Sequence, residues 1–79
     1  METAEFVFDF DLEDEAKTVI EALRPEIKHK IPKVEADVSI SGEKVFLVIH
    51  ATNISSLRAA CNSYLRWVKT ALDIIRVTW

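Results

Sequence analysis

Side chains able to do chemistry are few in this chain, and they do not group. His29, His50 and Cys61 are its two histidines and single cysteine. They fall on different predicted elements, without the spacing that a metal site needs. Cys61 lies inside the apolar arc of the last predicted helix and reads as a buried structural thiol. His50 ends a strand and reads as a satisfied or interfacial histidine. Glu13, Asp14 and Glu15 open a helix, where negative charge suits the dipole; they do not form an acid/base couple. With one glycine in 79 residues, a glycine-rich phosphate cradle is out of reach. No catalytic set, metal site, cofactor or small-molecule substrate is expected, and the chain reads as a binding protein, not an enzyme.

Charge is more informative. Residues 1–15 carry seven acids and no base, whereas residues 24–33 carry Arg24, Lys28, Lys30 and Lys33 against Glu26. In the last predicted helix, Arg58, Arg66, Lys69 and Arg76 share one sector of the wheel with Asn62 and Asp73. Such a stripe fits two roles, neutralising nucleic-acid phosphates or keeping a solvated face soluble. The net charge of −3 argues against strong independent RNA binding. The basic segments together leave a stand-alone RNA-binding module as the alternative function.

The elements that would carry these residues follow from periodicity. Residues 5–10 alternate with Phe6, Phe8 and Phe10 on one side, a half-buried strand. Asp11 is the expected N-cap of a helix whose stripe is Ala16, Val19, Ile20 and Leu23, with Ile27 at the next helical spacing, and Pro25 should end or tighten this helix near Leu23–Arg24. Val34, Ala36, Val38 and Ile40 alternate with Glu35, Asp37, Ser39 and Ser41 as a second strand. A turn at Ser41 to Lys44 uses Gly42. Residues 45–49 are apolar on both faces, the mark of a central strand. A long helix then runs from Thr52 or Asn53 to about Arg76, long enough for one end to overhang the sheet. The fold class is α+β, β-α-β-β-α. A right-handed crossover leaves a gap for the third strand, so the sheet should be antiparallel or mixed in the order 1-3-2 with both helices on one face.

The last helix is apolar over about 180° of its circumference, more than the roughly 100° that covering a sheet requires. Ile54, Leu57, Cys61, Tyr64, Leu65, Val68, Leu72 and Ile75 make one arc, and Ala60, Trp67, Ala71 and Ile74 extend it. Tryptophan anchors interfaces, and small residues admit a second helix. The surplus strip is therefore either a docking surface, centred on Ala60, Tyr64, Trp67, Ala71 and Ile74 with Leu23 beside them, or the seam with the first helix. On the sheet, Phe46 and Val48 face away from the helices, flanked by Glu35 and Asp37, and suggest a self-complementary homodimer interface with a polar rim.

The run Ser55-Ser56-Leu57-Arg58-Ala59-Ala60-Cys61-Asn62-Ser63-Tyr64-Leu65-Arg66-Trp67-Val68-Lys69 resembles the last-helix motif of the Pcc-type small subunits of the KEOPS complex. Leu23-Arg24-Pro25-Glu26 is similar to that family's pattern at the end of the first helix. The resemblance spans nearly the whole chain in length and element order. It implies a non-catalytic scaffold and dimerisation subunit that helps make N6-threonylcarbamoyladenosine in tRNA. The implied partners are the ATP-dependent threonylcarbamoyltransferase subunit, a second copy of the chain, and tRNA within the complex.

At 79 residues the chain is expected to be a single domain, residues 1–79, with a total stability of about 4–12 kcal/mol. The acidic start lacks a signal-peptide pattern, and the longest aliphatic run, residues 45–49, is too short to span a bilayer. A cytoplasmic protein without membrane contact is expected.

Overall fold

The doubly apolar strand is the centre of the molecule. In the computed structural model, which describes residues 1–78 and the side chains through Ile75, the order is β1 (Glu2–Asp9), α1 (Glu13–Lys28), β2 (Val34–Ser41), β3 (Lys44–Ala51) and α2 (Ile54–Thr78). The three strands form one sheet in the order β1-β3-β2, with both outer strands antiparallel to β3. This is the expected α+β topology.

One face of the sheet is covered. Val45, Leu47, Ile49 and Ala51 of β3 are buried together with Ala16, Val19, Ile20 and Leu23 of α1 and Leu57, Ala60, Tyr64, Val68, Ala71 and Ile75 of α2. Phe6, Phe8 and Phe10 pack on this core from the β1 side, and the Phe6 and Phe8 rings stack with centroids 6.1 Å apart. The burial rhythm of period two in the strands and three to four in the helices puts both helices on this face.

The hairpin between β2 and β3 is a two-residue turn at Gly42 and Glu43. Gly42 has φ +59°, and Glu43 is not among the positive-φ residues, which matches the type II′ geometry that continues the strand twist. A Cβ at Gly42 would have room, meeting Glu13 Oε1 at 3.9 Å; glycine is required there by φ, not by space.

α1 differs from expectation at both ends. Its N-cap is Leu12, not Asp11, and the Glu15 carboxylate accepts a hydrogen bond from the Leu12 N–H at 3.2 Å. Pro25 does not end the helix, which continues to Lys28 and closes with the His29 N–H donating to the Pro25 carbonyl at 3.2 Å. Proline inside a helix costs about 3 kcal/mol. Here Pro25 is exposed, so the Glu21 carbonyl it leaves unserved can be hydrated, while Ile27 beyond it packs on the core and holds the extra turn.

Asn53 caps α2, its Oδ1 accepting from the Ser56 N–H at 2.8 Å. At 25 residues the helix is about 37 Å long, while eight-residue strands reach about 27 Å. The buried stretch, residues 57–75, matches the strand length. The overhang is therefore limited to the two ends of α2, including exposed Ile54.

Candidate interaction surfaces

The wheel of α2 resolves differently in three dimensions. The buried residues Leu57, Ala60, Tyr64, Val68, Ala71 and Ile75 span only about 80° of the wheel at 100° per residue. Ala60 and Ala71 lie inside this arc, not beside it. Both alanines are buried at the side of the arc that adjoins Trp67, where a small side chain leaves room for close packing. The residues displaced outward lie on both margins. Trp67, 41% exposed, and Ile74, 63% exposed, lie on one margin. Half-buried Cys61, Leu65 and Leu72 lie on the other.

The six residues expected to meet a partner helix are thus divided. Leu23, Ala60, Tyr64 and Ala71 are buried in the core, so the expectation that these four lie on an exposed docking strip is corrected. Only Trp67 and Ile74 present area to solvent. For the buried four, the seam between α1 and α2 accounts for the apolar surplus. Nothing in the wheel alone separated the seam from the margins, because both are apolar.

Cys61 is half-buried, not a fully enclosed thiol. Burial pushes its pKa up, partly opposed by a backbone hydrogen bond. Burial, and secondarily the Glu26 carboxylate, pushes the Tyr64 hydroxyl above its ordinary pKa. Tyr64 also lines a cleft of about 760 Å³ where the 29–33 connector meets the ends of β2 and β3, with Ile27, Lys30, Lys33 and His50 on its walls. Sequence reasoning did not find this cleft, because it depends on Lys33 taking φ +68° and on the Thr52 N–H reaching the Lys33 carbonyl at 3.1 Å.

Arg58, Arg66 and Lys69 are all exposed on the outer side of α2. Arg76 lies beyond the residues whose side chains are described. Thr70 bonds back to the Arg66 carbonyl at 2.9 Å and leaves the helix intact.

The uncovered side of the sheet has a row structure set by register. Val7, Phe46 and Ser39 align across the three strands, then Glu5, Val48 and Asp37, then Thr3, His50 and Glu35. Phe46 and Val48 are half-buried and Val7 is 60% exposed. His50 shares a hydrogen bond with the Thr3 hydroxyl, Nδ1 to Oγ1 at 2.9 Å. Among the described residues, no group of three or more histidines, cysteines or carboxylates could hold a metal ion, and no helix is long and apolar enough to cross a membrane.

An apolar patch on one sheet face, a Trp-Ile margin and a cationic stripe on the long helix are features of a protein that binds other molecules. Comparison with known proteins agrees with the architecture. The chain is 34% identical over 73 residues to "KEOPS complex subunit Pcc1" of Pyrococcus abyssi (strain GE5 / Orsay), covering 90% of this chain and 88% of the relative. Its fold superposes with TM-score 0.87 on a chain of the "Crystal structure of binary complex Gon7-Pcc1", at 20% identity and over 99% of this chain and 96% of that one. At that identity the superposition speaks for the fold. The family described as "Transcription factor Pcc1" matches residues 3–76. With nearly every residue of all five elements inside that match, the chain belongs to the Pcc1 family.

Proposed function

We propose that this chain is a non-catalytic scaffold subunit of a KEOPS complex in the cytoplasm, docking on the ATP-dependent threonylcarbamoyltransferase subunit and assisting N6-threonylcarbamoyladenosine formation in tRNA. The observation that carries the proposal is the 34% identity to the Pyrococcus abyssi KEOPS subunit across 90% of the chain. The geometry supports it from a second direction. A two-helix layer on a three-stranded sheet leaves a tryptophan and an isoleucine exposed on the outer margin of α2, where a neighbouring helix can lie.

In this proposal Trp67 and Ile74 make the contact, while Leu23, Ala60, Tyr64 and Ala71 fix the orientation of the helix from beneath. Arg58, Arg66 and Lys69, one side of α2 over, would meet tRNA phosphates once the subunits assemble. Phe46 and Val48 would pair two copies of the chain across the open sheet face. Pull-down with the catalytic subunit, set against a gel shift of the isolated chain with tRNA, tests the proposal. Capture of the catalytic subunit with no shift of bare tRNA is the expected result. A salt-sensitive shift without capture would mean a stand-alone RNA-binding module.

A further inference from the structure

We infer that the cleft beside the 29–33 connector takes a small amphipathic anion: an apolar body lying on Ile27, Ile31, Val34 and Ala51, and one carboxylate or phosphate head held by Lys30 and Lys33. None of the docking surfaces proposed above is needed for it.

The cleft has a built shape. The Ile31 carbonyl accepts from the Val34 N–H, and the Lys33 carbonyl from the Thr52 N–H, both at 3.1 Å. The connector is thereby tied to the start of β2 and to the residue after β3, so the cleft exists before any ligand arrives. Its volume of about 760 Å³ is that of a small-molecule site, and such sites are mostly apolar with a few placed polar groups. Ile27 and Ile31 on its walls are half-buried, and Val34 and Ala51 are buried.

The sign of the head group follows from the polar residues. Lys30 and Lys33 line the cleft and are exposed, and Glu35 is the one lining carboxylate among the described residues. His50, also on the wall, is engaged with the Thr3 hydroxyl. Lys28 lies just before the connector, and Glu26 is close enough to act on Tyr64. Three lysines against two carboxylates leave this corner positive in a chain of net charge −3. Lys33 holds φ +68°, a backbone that asparagine or glycine adopts with less strain. The turn alone does not call for lysine there, and such strain collects at ligand sites. Lysine is a compact point charge and not a planar fork, so it suits either head. Tyr64 supplies a donor. Its ring is buried, and its hydroxyl makes no hydrogen bond to a described residue. No fully enclosed side-chain oxygen among the described residues lacks a partner. The Tyr64 hydroxyl therefore opens into the cleft it lines, where it can donate to a ligand oxygen.

The test titrates the full chain with octanoate, octyl phosphate and octylammonium below their micelle concentrations, and follows the side-chain methyl groups by NMR. The three probes share one apolar tail and differ in the head. At least one anion is expected to bind and to move the methyl signals of Ile27, Ile31 and Val34, and the tighter of the two identifies the head as carboxylate or phosphate. Octylammonium is expected to bind at least about tenfold more weakly, although the net charge of the chain favours it. That preference should shrink as salt rises. The double variant Lys30→Gln, Lys33→Asn, which keeps a residue tolerant of positive φ at position 33, should bind anion and cation alike. Should the double variant fail to fold, the exposed single change Lys30→Gln decides, with a partial loss of the preference. Lys28→Gln, off the cleft wall, should keep most of it. Equal binding of all three probes, or binding of none, overturns the inference. So do methyl shifts confined to Val7 and Val48 or to Ile74, which would put the probes on the other apolar patches. A loss with Lys28→Gln as large as with Lys30→Gln also overturns it, since the connector would then be a diffuse basic segment and not a site.

Discussion

Trp67 and Ala71 stand one turn apart on α2, yet Ala71 is 5% exposed and Trp67 41% exposed. A rotation of about 40° around the helix separates them, and the edge of the core runs between. Opposite consequences of substitution follow from this boundary.

Ala71→Arg forces a long cation into a site filled by α1 and the sheet. Overpacking and an unpaired buried charge together cost several kcal/mol, a large share of the roughly 4–12 kcal/mol available to a chain of this size. A collapsed or strongly lowered thermal melt by circular dichroism is expected. A normal melt would place Ala71 on the surface.

Trp67→Ala removes a side chain from the margin of the core, and the melt should move little. Binding to the catalytic subunit should weaken by about 2 kcal/mol or more, roughly thirtyfold, if Trp67 anchors the contact. Titration of the variant against the catalytic subunit decides it, and unchanged affinity would move the docking site elsewhere.

Phe46→Glu adds a fifth carboxylate to a face that already carries Glu5, Asp9, Glu35 and Asp37. The variant should be a monomer in light scattering with its melt intact, because Phe46 points away from the helices. A mass unchanged from that of the wild type would remove this face as the site of self-pairing.

Replacing Arg66 and Lys69 by Gln removes two exposed cations from α2. tRNA binding by the assembled complex should weaken, and the slope of log affinity against log salt should flatten by roughly 1–2. If neither quantity moves, the stripe serves solubility alone.

Tyr64 provides an alkaline test of the core. Its folded-state pKa is raised, first by burial and then by Glu26, above the unfolded value near 10. The neutral hydroxyl therefore contributes its stability in full below about pH 10 and loses it as pH rises through the folded value. Wild type and Tyr64→Phe should melt with a fixed separation near neutral pH. Above about pH 10 the separation should shift in favour of the phenylalanine variant. A separation that stays constant to high pH would mean Tyr64 does not ionise against the folded state.

The strand order was legible because it depends on local patterns. Alternation at Phe6, Phe8 and Phe10 and at Val34 to Ile40 marks strands with one wet face, the doubly apolar run marks the middle, and Gly42 marks the hairpin. Chain connectivity and crossover handedness then leave few arrangements. The helix ends were less legible. Pro25 carries a strong local stop signal, and only the packing of Ile27 on a distant part of the chain overrides it. The faces of α2 were least legible of all. A helix whose apolar arc is wider than one contact can settle at several rotations about its axis, and the wheel does not choose among them. The rotation adopted buries Ala60 and Ala71 and leaves Trp67 and Ile74 outward. That choice depends on the shapes of α1 and the sheet, which exist only once the chain has folded.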